Sequence, residues 1–227
     1  MVSNLEPRLG REAPKRALRD EDKEARRRLL LTEALGLYRE TSYGAVKMAD
    51  VAERAGLAKG TVFLYFPTKE ALFLALLEDL LFAWLARLEA LLGRAADAPW
   101  TGPRLAREVA DSLVGEESLT RLLAMLQTVL EQNVTEEQTR RFKERLLEAL
   151  SRVGARLEAL VPFLRPGEGP RLLLHLHALV TGLRQMADVA PVARAVLAAP
   201  HMAPLRIDFT AELTAALTTL LRGLEAR

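Results

Sequence analysis

Residues 69–93 read KEALFLALLEDLLFAWLARLEALLG, and this stretch constrains the fold more than any other. It reads as one long helix that is apolar around much of its circumference, so it must be largely buried. Glu78, Asp79, Arg87 and Glu89 interrupt its most apolar part, residues 72–92, and would be costly in a bilayer. The cover must therefore come from protein. Leu and Ala also dominate the rest of the chain, β-branched residues are thin, and alternating apolar–polar runs are lacking. An all-α fold is expected.

With 227 residues, the chain has room for one large or two small domains. There is no cysteine, which removes disulfides and thiolate metal sites. The opening MVSNLEPRLGREAPKR has no apolar core of the signal-peptide kind, so a cytoplasmic location is expected. Charge is unevenly spread. Residues 1–69 carry a net charge of +4, and the remainder −2. A basic front suggests an anionic partner, although a solvated charged surface has the same composition.

Residues 1–20, rich in Arg, Pro and Gly, read as a flexible basic arm. A helix is expected from Asp20 to Arg39, with acidic residues in its first turn and Leu30, Leu31, Ala34, Leu35 and Tyr38 on its apolar stripe. After a break at 41–44, a short helix from about Lys47 to Arg54 puts Met48, Val51, Ala52 and Ala55 on one face. Gly56 follows, suited to the left-handed conformation that ends a helix. One more short element fits before Pro67. On a helix, Val62 and Phe66 face inward while Lys59, Gly60, Thr61, Leu64 and Tyr65 face outward, with Phe63 at the flank. A strand fits less well, because 62–66 shows no alternation.

Three helices, the last two joined by a glycine turn, match the helix-turn-helix plan. Ala52 allows close approach, Gly56 permits the turn and Val62 plugs the gap. The third helix can then enter a major groove with its first residues aimed at base edges. Its Lys, Thr and Tyr suit phosphates or bases, and its aromatic and aliphatic side chains suit a thymine methyl.

Residues 51–72, VAERAGLAKGTVFLYFPTKEAL, closely resemble the signature of the tetracycline-repressor (TetR) family, I-A-x-x-A-G-V-S-x-G-T-L-Y-x-Y-F-x-S/T-K-E-x-L. A looser likeness reaches back to about Lys23. The resemblance implies a dimeric regulator, usually a repressor, that leaves its operator when a small molecule binds its C-terminal helical domain. By position it implies that Lys59, Gly60 and Thr61 open the recognition helix towards bases or phosphates. Phe63, Leu64 and Tyr65 would lie on its DNA side, and Lys69 would grip a phosphate together with the start of the next helix. Three positions depart from the pattern. Phe63 replaces a Tyr and loses a hydroxyl, Ala58 replaces a capping Ser at a cost of ~1 kcal/mol, and Lys47 replaces a Ser or Thr cap with a charge able to reach the DNA backbone. The arm, with Arg8, Arg11, Lys15, Arg16 and Arg19, suits an adjacent minor groove or merely adds non-specific attraction.

Beyond the long helix, further helices are expected over 104–114, 117–133, 135–161, 171–187 and 208–225. Thr135 to Gln138 form a capping box and Asp208 caps the last helix, while Pro162–Pro170 and a Pro- and Ala-rich segment after Ala187 serve as connectors. Phe82, Trp84, Trp100, Met125, Gln127, Phe142, His177 and Met186 are candidates for lining a ligand cavity, and each also fits ordinary core packing. Few charges interrupt these helices, so a mainly apolar effector is expected. His175 and His177 lie two residues apart, which on a helix turns their rings about 200° from each other, so no metal is expected. No phosphate loop or catalytic triad stands out, and neither a cofactor nor an enzymatic activity is expected.

The leucine stripes of 171–187 and 208–225 fit a two-fold dimer seam or burial within one chain. The expected organisation is therefore an arm (1–20), a helix-turn-helix domain (21–68) and a ligand-binding and dimerisation domain (69–227). Two rivals remain at this level: an architectural or activating DNA binder without effector, and an all-helical enzyme or adaptor that uses its basic front on an acidic protein.

Overall fold

A computed structural model of the chain describes residues 13–94 and 99–227, with the side chains of 13–20 excepted. The described residues hold helices and connecting turns, with no strand among them. The chain divides into two compact units, Met1–Lys69 and Glu70–Arg227. No helix among the described residues is long and apolar enough to cross a membrane.

The first unit contains α1 (Ala13–Glu40), α2 (Met48–Arg54) and α3 (Lys59–Tyr65). The first helix starts at Ala13 rather than Asp20, so the acidic residues 20–22 sit in its interior and its first turn holds none. Its Ala, Arg, Lys and Glu residues are good helix formers, and Pro14 is tolerated in a first turn. Arg8 and Arg11 of the basic arm lie outside the described residues, as do the side chains of Lys15, Arg16 and Arg19. Leu30, Leu31, Ala34 and Tyr38 are buried as a stripe, and Leu35 is half-buried at its edge.

Three charged contacts hold this unit together across its helices. Arg54 at the end of α2 donates to both carboxylate oxygens of Glu40, at 2.8 and 2.7 Å, and its Nε lies 3.0 Å from Glu33. Gly36 leaves room for that guanidinium, since a Cβ there would come within 3.2 Å of it. The Arg54 hydrogen bonds hold the Glu40 carboxyl below its ordinary range. From α1, the Arg27 guanidinium lies 5.8 Å from the Phe66 ring centroid.

The second unit begins along α4 (Lys69–Arg94) and continues through α5 (Gly102–Asp111) and α6 (Glu117–Met125). It ends with α7 (Glu136–Leu160), α8 (Glu168–Ala187), the short α9 (Pro191–Leu197) and α10 (Phe209–Glu225). In α4, Leu81, Trp84, Leu85, Leu88 and Leu92 are buried. Its charges are placed as the burial demands: Glu78, only 7% exposed, pairs with Arg145 of α7, and Glu89 pairs with Arg152 at 3.1 Å. Trp84 keeps its indole N–H satisfied by donating to Ser112 Oγ at 3.0 Å. Helix α8 packs against α6, α7 and α10, and α10 also packs against α5.

Three elements differ from expectation. The helix expected over 117–133 stops being α-helical at Met125, and residues Leu126–Leu130 form a π turn in which the Glu131 N–H donates to Leu126 O at 3.0 Å. Helix α8 starts at Glu168, so Pro170 lies in its first turn instead of ending a loop. The Pro- and Ala-rich connector holds α9 and a 3₁₀ turn, Pro200–Leu205. Arg206 ties these two together by donating to the carbonyls of Leu197, Ala198 and Ala199. The capping box at Thr135 and Gln138 is formed, with bonds of 3.2 and 2.9 Å, and Asp208 accepts from the Ala211 N–H at 3.0 Å.

Candidate nucleic-acid interface and the cavity of the second unit

Helix α2 ends in a Schellman motif around Gly56 at φ 65°: the Leu57 N–H donates to Ala52 O at 2.9 Å and the Gly56 N–H to Glu53 O at 3.0 Å. A side chain at position 56 would strain this turn, and the turn sets where α3 begins. At the start of α2, the Lys47 N–H donates to Asp50 Oδ2 at 3.3 Å. The reciprocal half of that cap is missing, because an ammonium has no lone pair to offer a backbone N–H. The Lys47 charge thus projects from an exposed residue at the head of α2.

The sequence of α3 sorts its side chains by face. Val62 is fully buried and Phe66, its C-cap, is 4% exposed, so these two anchor the helix from beneath. Leu64 is 83% exposed and Phe63 41%, beside exposed Lys59 and Gly60 and half-buried Thr61 and Tyr65. An exposed leucine at the centre of so short a helix contributes nothing to the packing of this unit. Ala58 stands at the N-cap without a side-chain bond, as its missing hydroxyl requires. Lys69, the first residue of α4, sets its ammonium 4.2 Å from the centroid of the Tyr43 ring. Tyr43 lies in the turn after α1. Lys47, Lys59, Gly60, Thr61, Phe63, Leu64, Tyr65 and Lys69 all belong to the first unit.

In the second unit, a cavity of about 290 Å³ lies among α4, the turn after α5, α6, the π turn, α7 and α8. Its wall is mostly leucine, including Leu85, Leu123, Leu126 and Leu176, with Val180. Of the eight candidates, Trp84, Gln127 and His177 line it. Phe142 is buried in the core, Trp100 is buried with the Arg104 guanidinium 4.5 Å from its ring, and Phe82 carries Arg145 at 4.6 Å. Met125 is half-buried away from the lining, and Met186 is 57% exposed beside α9.

One end of the cavity is polar. Gln127 Nε2 lies 3.3 Å from His177 Nε2. Burial, and then the nearby Lys143, push the His177 ring below its ordinary protonation range, with Glu131 acting weakly the other way. The ring is neutral at pH 7, and Gln127 donates to it. Lys143 lines the same end and is paired with Glu131 at 2.5 Å. Sequence reasoning missed Lys143, yet Lys143, Leu146 and Leu150 follow helical spacing from the capping box, as do Leu173, Leu176, His177 and Val180 on α8. His175 lines a different cavity from His177, which agrees with their two-residue spacing.

Comparison with known proteins agrees with both units. Residues 30–76 match the family described as bacterial regulatory proteins, tetR family, and residues 78–227 match the tetracyclin repressor-like C-terminal domain. The HTH-type transcriptional regulator RutR of Escherichia coli (strain K12) is 36% identical over 66 residues, covering 29% of this chain and 31% of RutR. The match thus spans about a third of that relative. In fold, the chain is similar to the fatty acid degradation regulator FadR of Bacillus halodurans (TM-score 0.55, 18% identity, 87% of this chain and 95% of that one). It is also similar to FadR of Bacillus subtilis in complex with stearoyl-CoA (TM-score 0.50, 19% identity, 85% and 96%). With both of its units matched, the chain belongs to the TetR family of transcriptional regulators.

Proposed function

We propose that this TetR-family regulator is a repressor that binds a pseudopalindromic operator as a dimer and leaves it when a small, mainly apolar molecule fills the cavity of the second unit. The observation that carries the DNA reading is the face of α3, where Leu64 and Phe63 are exposed above the buried Val62 and Phe66. Apolar side chains held outward on an anchored helix suit thymine methyls, and Lys59 and Thr61 beside them suit bases or phosphates. Lys47 and Lys69 add backbone contacts from the heads of α2 and α4. The site of action is the cytoplasm.

The outer faces of α8 and α10 support dimerisation. Gly182 and Gly223 would carry a Cβ into open space. Small residues on paired helices let a second copy approach closely. Two recognition helices would then meet successive major grooves, about 34–36 Å apart. Effector binding would favour a different spacing and lower the affinity for DNA. The leucine wall of the cavity supports an apolar effector, and FadR of Bacillus subtilis illustrates an acyl ligand held by a related fold.

The test is selection of preferred sequences from random DNA with the purified chain, followed by binding of the winner to Lys59→Ala and Leu64→Ala. A two-fold-related site and weakened binding by both variants are expected. If neither variant changes the affinity for any sequence, the interface reading is lost.

A further inference from the structure

The polar end of the cavity has no net charge to offer a ligand. Lys143 is the one charged side chain among the described lining residues, and Glu131 already neutralises it at 2.5 Å. A carboxylate placed there would face Glu131 as well as Lys143, and an amine would face the reverse, so neither ion gains a free counter-charge at this end. What the end does offer is a neutral hydrogen-bonding pair, Gln127 with His177, 3.3 Å apart. The rest of the lining is leucine, with Trp84 and Val180. At roughly 30 Å³ per water-sized group, a cavity of about 290 Å³ accepts on the order of ten such groups.

Resting on the effector reading above, we propose that the cavity takes an uncharged amphiphile of about ten heavy atoms, with an aliphatic body among Leu85, Leu123, Leu126, Leu176 and Val180 and a single hydroxyl or carbonyl head at Gln127 and His177. The head exchanges hydrogen bonds with the amide and the ring in place of water. The cavity opens at the exposed Gln127 and Lys143, so the excess of a chain of sixteen or more carbons lies outside it and adds no buried contact.

The test is binding to the full chain of 1-decanol, 2-decanone, decanoate, decylamine, n-decane and 1-hexadecanol, followed by titration calorimetry and thermal shift at pH 7.5. Decanol and decanone should bind roughly tenfold or more tighter than decanoate and decylamine, and at least as tightly as hexadecanol. In Gln127→Leu and His177→Phe, decanol should weaken roughly three- to tenfold while n-decane holds its affinity. Should either variant fail to fold, the wild-type ranking still decides. Tighter binding of decanoate, decylamine or hexadecanol overturns the uncharged ten-atom class but leaves a regulated repressor standing. Failure of every ten-carbon probe to bind, with operator binding intact, overturns the effector reading as well. Unchanged decanol affinity in both folded variants overturns the placement of the head.

Discussion

Gly154 of α7 and Gly169 of α8 meet backbone to backbone: a Cβ on Gly169 would lie 2.1 Å from the Gly154 carbonyl oxygen, and one on Gly154 would lie 2.5 Å from the Pro170 ring. Both glycines are buried, and neither has a positive φ, so contact and not conformation requires them. The same junction satisfies an orphan donor of α8, because the Gly169 N–H donates to Glu158 Oε1 at 2.8 Å.

Gly154→Ala and Gly169→Ala should each therefore destabilise the protein, by about 2–3 kcal/mol, since the atoms in the way are backbone or a fixed ring. Urea denaturation of the two variants measures this. Wild-type stability in either one means that the helices can move apart freely.

Gly60 makes the opposite case. A Cβ there meets nothing within 4 Å, and the residue sits inside a helix. Gly60→Ala should stabilise α3 by ~0.5–1 kcal/mol through helix propensity alone, and should weaken operator binding if DNA closes on that face. A thermal melt and an anisotropy titration on the same preparation read the two effects separately.

Phe63→Tyr adds a hydroxyl to a ring that is 41% exposed, leaving the packing of Val62 and Phe66 untouched. The variant should bind operator about two- to tenfold tighter, the worth of one net hydrogen bond to phosphate, with an unchanged melting temperature. Equal affinity would place that ring edge away from the DNA backbone.

The basic residues should differ from the apolar ones in their response to salt. Lys59→Ala and Lys69→Ala should each lower the slope of log affinity against log salt by about 1, whereas Leu64→Ala should weaken binding without changing that slope. Titrations across a range of salt concentrations separate the two classes.

His177 makes stability depend on acidity. Its ring in the folded protein titrates below the ordinary value of 6.5, chiefly through burial. Between those two values the unfolded chain binds more protons than the folded one, so stability is full above 6.5 and falls as the pH drops through that window. His177→Phe should flatten this part of the stability–pH curve. A slope unaltered in the variant would assign it to other groups.

The first unit was legible because its signals are local. Gly56, the Val62–Phe66 spacing and the unusual Ala58 and Lys47 caps each act within a few residues, and all recur in the structure. The cavity was legible only in part, because a residue facing a void and one filling the core have the same apolar character. Phe142 and Lys143 are adjacent, yet a step of about 100° puts one in the core and the other on the cavity wall. Trp100 is buried outside the cavity lining, with Arg104 four residues on against its ring. The early start of α1 shows a different limit, since Arg- and Lys-rich sequence suits a helix as well as a loose arm.

The π turn at Leu126–Leu130 takes up slack in a screw thread. It holds one more residue than an α turn through the same full rotation, so removing one from this segment would restore regular winding while the chain on either side keeps its phase. Only the residues of the wide turn itself, Gln127 among them, would point elsewhere. A relative with one residue fewer here would therefore keep the fold and the DNA-facing helix while presenting a different wall to the cavity.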